Sequence, residues 1–240
     1  MHRFIGKFPI SDDKFWIGDE ELVHQIRDVL KLRVGEKIVL VDGEGSPRSG
    51  GAGMEATCEI IGFDGDYLGV QVLENNENKN DPESKVELYL AILKNENFEL
   101  AVQKAVEVGV GRVIPIVTER TIKTGLKLER LKKIMKEASE QSGRATVPEI
   151  VEPVDFKNAI KLSKANDLTI FYDPSGVDIF KIGHKVKRIG VFIGPEGGWS
   201  SKEVSMAKVA RFEIASFGKL IYRAETAAIV AVYDIVKTLR

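Results

Sequence analysis

The chain has 240 residues, of which 43% are hydrophobic and 30% charged, and its formal net charge at pH 7 is −1. This length and hydrophobic fraction suffice for one large domain or two small ones, and they exclude a disordered chain. A near-neutral protein does not bind nucleic acid through its bulk charge, so any basic contact surface must be local.

The sequence also predicts the compartment and the absence of metal. No apolar run reaches the roughly 20 residues needed to cross a bilayer, and MHRFIGK lacks the features of a signal peptide. We therefore expect a cytoplasmic protein with no membrane contact. Cys58 is the sole cysteine, and we interpret it as a small buried hydrophobe in a strand. His2, His24 and His184 are too scattered to form a metal site.

The first third of the chain predicts a small β-barrel. Within residues 1–73, short β-type runs such as KIVLVD and ATCEIIGF are separated by glycine-rich turns. The stretch ENNENKNDP, residues 74–82, contains no hydrophobic residue and is predicted to be a linker. A second domain is then expected over residues 83–240.

The second domain shows alternating strand and helix patterns. Strands are predicted at Val86–Leu93, Arg112–Val117, Leu168–Asp173 and Ile189–Gly194, and helices at Glu96–Val108, Lys127–Ser142 and Phe156–Lys164. This order indicates an α/β fold with a parallel sheet. A ligand is expected at the carboxyl ends of the strands.

A basic segment between Glu119 and Lys136 has two possible interpretations. Its cations are Arg120, Lys123, Lys127, Arg130, Lys132, Lys133 and Lys136. They could neutralise RNA phosphates. They could also form the solvated face of a helix, and composition alone favours this second interpretation. The apolar side of that helix would be Leu128, Leu131, Ile134, Met135 and Ala138.

A glycine loop follows the last long predicted strand. It reads GPEGGWSSKE from Gly194 to Glu203, and Ser200 and Glu203 have the spacing of a helix capping box. Glycines allow the backbone to approach a ligand and leave peptide groups free to bind a planar group such as a purine. The loop matches neither of the common phosphate-binding glycine patterns, which disfavours a phosphate site. A turn without a ligand remains an alternative.

A second segment, SFGKLIYRAETAAIVAVYDIVKTLR from Ser216 to Arg240, is predicted to run from a glycine turn into a helix rich in alanine and valine. This segment completes a resemblance to a known family. GPEGG and a pattern like LGxxILRxETA are diagnostic of the RsmE family, the ribosomal RNA uridine-N3 methyltransferases of the SPOUT class. Here Phe217 and Tyr222 stand where leucines are usual, and Lys31 stands where arginine is usual. The resemblance also covers the start MHRF and the blocks His24–Gly45, Lys94–Thr121 and Glu137–Ile150.

The resemblance implies a fold, a reaction and partners. The fold would be a C-terminal SPOUT-type parallel sheet with a trefoil knot, preceded by a small PUA-like β-barrel that binds RNA. The chain would act as a homodimer and use S-adenosylmethionine to methylate uridine N3 in small-subunit (16S) ribosomal RNA, without a metal. The alternatives are a SPOUT ribose 2′-O-methyltransferase and a non-catalytic RNA-binding module for ribosome assembly.

The resemblance also implies site residues. Cofactor binding is expected at Ile193, Gly194, Pro195, Glu196, Gly197, Gly198, Phe217, Gly218, Leu220, Ile221 and Thr226. RNA binding is expected at Arg3, Lys31, Arg120, Gln141 and Arg144.

Uracil N3 carries a proton, so the enzyme needs a base or a group that stabilises the developing anion. Arg223 is the catalytic candidate, with a salt bridge to Glu225 or another acid as its structural alternative. The sequence identifies no general base. The target uridine should be unpaired or flipped.

Overall fold

The computed structural model describes residues 1–43, 53–94, 96–122, 125–178 and 186–239. The chain forms two compact units, Met1–Asp81 with Ser139–Val147, and Pro82–Ala138 with Pro148–Arg240. The sequence predicted residues 139–147 within the second domain, but they belong to the first unit. Backbone and side-chain hydrogen bonds to Asp81, described below, hold this segment there.

The first unit contains a five-stranded sheet. Its strands are β1 (His2–Gly6), β2 (Lys14–Ile17), β3 (Lys37–Asp42), β4 (Gly53–Asp64) and β5 (Tyr67–Asn78), in the order β1-β3-β4-β5-β2. β1 runs parallel to β3, and the other pairs are antiparallel. A helix α1 (Glu20–His24) continues into a π-helical turn at Gln25–Val29. The core includes Cys58, whose burial raises the pKa of its thiol to about 11.

The predicted linker at residues 74–82 begins inside this sheet. β5 continues to Asn78, and its residues 74–78 pair with β4 from Thr57 to Gly53. The side chains of residues 74–77 are exposed, which is why a hydrophobicity pattern does not detect this part of the strand. Backbone pairing, which needs no apolar side chain, defines it instead.

The second unit contains a parallel sheet. Its strands are β6 (Lys85–Ala91), β7 (Arg112–Val117), β8 (Glu149–Ile150), β9 (Val154–Asp155), β10 (Leu168–Asp178), β11 (Arg188–Ile193) and β12 (Glu213–Ser216). The order is β12-β10-β11-β6-β7-β8, with β9 also paired to β7. Every pairing in the described part of this sheet is parallel. The predicted α/β class with a parallel sheet is confirmed.

From β6 onward, five helices are interspersed with the strands in the described part of the chain. They are α2 (Glu96–Glu107), α3 (Leu128–Ser142), α4 (Phe156–Ser163), α5 (Ser201–Val209) and α6 (Ala224–Thr238). α6 packs against α2, and alanines at its buried positions allow the close approach. No described helix is long and apolar enough to cross a membrane.

Aromatic rings fill one layer of the second unit's core. Tyr89 on β6 stacks on Phe192 on β11, with ring centroids 4.4 Å apart. Phe171 on β10 stacks on Trp199, with centroids 4.5 Å apart. Stacked pairs of this kind add to the stabilisation from buried area alone. They fix the strands whose carboxyl ends carry the loops described next.

Candidate functional site

A pocket of about 740 Å³ opens at the carboxyl ends of three neighbouring strands of the parallel sheet. Its walls come from residues 172–174 in β10, from residues 193–196, 198 and 199 at and after the end of β11, and from residues 216–225 at and after the end of β12. The volume lies within the range of small-molecule sites. The position is the one expected for ligands of open parallel sheets.

A bulge in β10 forms the first wall. Tyr172 and Val177 both pair with Ala215 on β12, so residues 173–176 loop out of the ladder. Gly176 is required there, because a Cβ atom at this position would lie 2.4 Å from the backbone carbon of Ala215. Asp173 Oδ1 accepts a hydrogen bond from the Ser175 backbone N–H at 2.9 Å, which closes the turn.

The glycine loop forms the second wall. Gly198 has a φ of +68°, a conformation that side chains rarely adopt, and its N–H donates to the Pro195 carbonyl at 2.8 Å. Glu196 Oε1 accepts from the Lys94 backbone N–H at 2.9 Å. The predicted capping box at Ser200 is present at the start of α5. The loop is therefore fixed by a backbone hydrogen bond within it and by the side-chain hydrogen bonds of Glu196 and of the capping box.

Gly197 does not line the pocket, contrary to the sequence-based prediction. Its carbonyl accepts a hydrogen bond from Arg120 Nη1 at 2.6 Å, and a Cβ atom at Gly197 would lie 3.5 Å from the Arg120 side chain. The peptide thus faces Arg120 rather than the pocket. This places Arg120, predicted only as an RNA contact, against the outside of the glycine loop.

An aromatic cluster lines the third wall. Phe217 stacks on Tyr172 with ring centroids 4.3 Å apart and an interplanar angle of 10°. Tyr222 packs on Phe217 at 5.1 Å, and Trp199 Nε1 donates to the Tyr172 carbonyl at 2.9 Å. Phe217 and Tyr222 are the two residues that stand where leucines are usual in the family. They give this pocket ring faces in place of aliphatic side chains.

The start of α6 closes the pocket. Arg223 is the N-cap residue, is exposed and lines the pocket. Glu225 is 7% exposed and also lines it. Within the described part of the chain Arg223 forms no ion pair with Glu225 or another acid, so the structural alternative for Arg223 is not observed. Thr226 is exposed and lies outside the pocket, because one further residue along a helix rotates the side chain by about 100°.

The pocket unites most of the residues predicted for cofactor binding. These are Ile193, Gly194, Pro195, Glu196, Gly198, Phe217, Gly218, Leu220 and Ile221, together with the catalytic candidate Arg223. Gly197 and Thr226 are the exceptions. Asn97 and Trp199 also line the pocket, and sequence reasoning misses both of them. Asn97 could have been found from its position just after the carboxyl end of β6.

Arg144 is not available for RNA binding, which corrects that prediction. It is 6% exposed, and its Nε donates to Asp81 Oδ1 at 2.6 Å. Asp81 Oδ2 also accepts from the Ala145 N–H and the Thr146 hydroxyl. Burial lowers the pKa of the Arg144 guanidinium, and the Asp81 charge opposes that shift. The pair fixes Ser139–Val147 within the first unit.

The other predicted RNA contacts differ in the exposure and ion pairing of their side chains. Lys31 and Gln141 are exposed. Arg3 is mostly buried and forms an ion pair with Glu55.

The basic segment before and within α3 is partly neutralised. Arg130 forms a two-pronged pair with Glu99 at 2.7 and 2.8 Å, and Lys132 pairs with Glu129 at 2.7 Å. Lys123 lies outside the described residues. His184, one of the three scattered histidines, also lies outside them. Among the described residues there is no group of three or more potential metal ligands.

Comparison with known proteins gives the class of the second unit. The RNA methyltransferase domain family matches residues 79–235, which include the parallel sheet and all three walls of the pocket. A structure of ribosomal RNA small subunit methyltransferase E from Neisseria gonorrhoeae bound to S-adenosyl methionine has a TM-score of 0.86 and 27% identity, covering 99% of this chain and 97% of that one. The fold and the matched residues define an RNA methyltransferase.

Relatives with curated names show which family of RNA methyltransferases the chain belongs to. Ribosomal RNA small subunit methyltransferase E of Synechocystis sp. is 30% identical over 221 residues, covering 89% of this chain and 70% of that protein. The protein of the same name from Mesomycoplasma hyopneumoniae is 32% identical over 164 residues, covering 66% and 72%. The chain belongs to the ribosomal RNA small subunit methyltransferase E (RsmE) family, which confirms the resemblance found in the sequence.

Proposed function

We propose that the pocket of the second unit binds S-adenosylmethionine and that the chain uses it to methylate N3 of a uridine in small-subunit (16S) ribosomal RNA. One observation carries the proposal. The two segments with the diagnostic family motifs, residues 194–198 and 217–225, lie apart in sequence but both contribute walls to one pocket. That pocket is at the edge of the sheet where parallel strands present their ligands.

The residues present fit this cofactor. The pocket volume accommodates a nucleoside joined to an amino acid. The ring of Phe217 and the apolar side chain of Ile193 offer faces for adenine, and the backbone of the glycine loop offers hydrogen-bonding groups for its edge. Bound there, S-adenosylmethionine would supply the electrophilic methyl group.

Arg223 is the residue we propose for catalysis. Uracil N3 becomes nucleophilic as its proton leaves, and negative charge then develops on the base. The Arg223 guanidinium is exposed, lines the pocket and has no ion-pair partner among the described residues. It is therefore free to stabilise that charge or a neighbouring phosphate. The substrate uridine must be unpaired or flipped to present N3.

The finer architecture also belongs to this proposal. We infer a trefoil knot around the pocket, a PUA-like barrel in the first unit and a homodimeric assembly, as the family resemblance implies. Lys31, Gln141 and Arg120 are the proposed RNA contacts, since their side chains are exposed. Arg3 stays a prediction, because an RNA phosphate would have to compete with Glu55 for its guanidinium.

Nucleoside analysis tests the proposal. Small-subunit ribosomal RNA from cells lacking the protein is incubated with the purified chain and methyl-labelled S-adenosylmethionine, then digested and examined by mass spectrometry. We expect labelled 3-methyluridine. Label in a ribose-methylated nucleoside would instead support the 2′-O-methyltransferase alternative. RNA binding without any label would support the non-catalytic module.

A further inference from the structure

A buried carboxylate of the pocket lacks a hydrogen-bond donor. Glu225, the second residue of α6, is 7% exposed and lines the pocket. Its Oε2 atom is buried and accepts a hydrogen bond from none of the described residues. Removing a charged oxygen from water in this way destabilises a chain unless a ligand supplies the missing partner.

The other two carboxylates that line the pocket have donors within the protein. Glu196 Oε1 accepts from the Lys94 backbone N–H at 2.9 Å, which holds the glycine loop. Asp173 Oδ1 accepts from the Ser175 backbone N–H at 2.9 Å, which holds the bulge in β10. Their roles are accounted for by the loops they fix. Glu225 differs from both, because its Oε2 atom accepts no hydrogen bond that would hold a loop of the described chain in place.

The position of Glu225 at the start of α6 does not supply the hydrogen bond that its Oε2 atom lacks. The macrodipole of α6 favours a negative charge in its first turn, which explains the residue type but donates no hydrogen bond to Oε2. Lys219 and Arg223 also line the pocket, but both are exposed. In the described part of the chain neither forms an ion pair with Glu225. No described protein group therefore supplies the missing partner, which points to a ligand group.

The proposed cofactor carries the complementary charge. S-adenosylmethionine has a sulfonium and an ammonium against one carboxylate, so it is a net cation. On transfer, the sulfur–methyl bond breaks and its electron pair stays on sulfur, the methyl group bonds to N3, and the N3 proton leaves to solvent. The product, S-adenosylhomocysteine, has a neutral sulfur. A nearby buried carboxylate attracts the first molecule more strongly than the second.

We propose that Glu225 is a specificity residue whose buried carboxylate lies against the sulfonium and makes the pocket prefer S-adenosylmethionine over its demethylated product. The inference rests on the proposed function, since it takes S-adenosylmethionine as the ligand of this pocket. It adds a means of product release. Once the methyl group has left, the carboxylate again lacks a cation, and S-adenosylhomocysteine is held less tightly.

Calorimetric titration of both molecules tests this role. Glu225→Gln keeps the shape of the side chain and removes its charge. We expect its affinity for S-adenosylmethionine to fall about tenfold or more, as for loss of a partly screened charge pair, and its affinity for S-adenosylhomocysteine to fall less than about threefold. Asp234→Asn is the matched control, since Asp234 is an exposed acid on the same helix outside the pocket. It should bind both molecules as the wild type does.

The outcomes separate this inference from the proposed function. If the wild type does not bind S-adenosylmethionine, both are overturned. If the wild type binds but Glu225→Gln weakens both molecules equally, the carboxylate contacts a group that they share, and only the inference fails. Unchanged binding with slower single-turnover methyl transfer would assign Glu225 to the RNA base and also overturn it.

A second variant covers the case in which Glu225→Gln does not fold. Glu225→Asp keeps the charge but shortens the side chain, so both affinities are expected to fall while the preference for S-adenosylmethionine remains. Loss of that preference in folded Glu225→Asp would contradict the proposal.

Discussion

The glycine-loop pocket and the cations predicted to bind RNA differ in how directly the sequence determines them. In the pocket, Gly198 adopts the positive φ that its residue type permits, and its neighbours in sequence complete the wall. Among the cations, Arg144 is buried against Asp81, which is 63 positions away. Arg130 pairs with Glu99, 31 positions away. Backbone conformation is encoded locally, whereas the availability of a charge depends on partners that are distant in sequence.

The largest effect is expected from breaking the buried ion pair. Arg144→Ala leaves the Asp81 carboxylate without its main cation, so the free energy of unfolding should fall by about 3–5 kcal/mol. Urea denaturation followed by circular dichroism measures this. Arg33→Ala, at an exposed arginine of the same unit, should change it by less than about 0.5 kcal/mol. Equal stability of the two variants would return Arg144 to the group of candidate RNA contacts.

Arg223 extends the comparison to a cation within the pocket. Arg223→Ala should lower the single-turnover rate of methyl transfer by about 10²-fold, the loss expected for one positioned electrostatic group. Affinity for S-adenosylmethionine should stay within about tenfold. Lys208→Ala, at an exposed position on α5, serves as the control and should leave the rate unchanged. A wild-type rate in Arg223→Ala would make this arginine structural.

Arg120 belongs to both sides of the comparison, since it is a predicted RNA contact that also contacts the glycine loop. Because its guanidinium donates to the Gly197 carbonyl at 2.6 Å, Arg120→Ala should weaken S-adenosylmethionine binding by about three- to tenfold, less than a fully buried charged hydrogen bond. Arg130→Ala, in the same basic segment but paired with Glu99, should not. Weaker RNA binding with unchanged cofactor affinity would assign Arg120 to RNA alone.

The smallest effect concerns a single exposed lysine. If Lys31 contacts one phosphate, Lys31→Ala should reduce the slope of log affinity for RNA against log salt by about 0.7–0.9. Lys14→Ala, at another exposed lysine of the first unit, is the comparison. Identical slopes for Lys31→Ala and the wild type would remove this contact from the proposal.

Particular residues show what the sequence can and cannot predict. The capping box at Ser200 and the strand–loop–helix around it follow from local spacing, and the structure contains them. Local spacing does not predict that Gly197 and Thr226 face away from the pocket. A shift of one residue within a correctly predicted segment is enough to turn a residue into the pocket or away from it. β5 continues through residues 74–78 because β4 pairs with it, which no composition rule detects.

The central claim is that the glycine loop forms the cofactor site, and Gly198 tests it most directly. A β-branched side chain at φ +68° strains the loop backbone, so Gly198→Val should lose at least about 100-fold in calorimetric affinity for S-adenosylmethionine while its circular dichroism stays native. Gly35→Val is the control, because Gly35 has a φ of +89° with open space around it in the other unit. It should bind as the wild type does. Folded Gly198→Val with wild-type affinity would contradict the account.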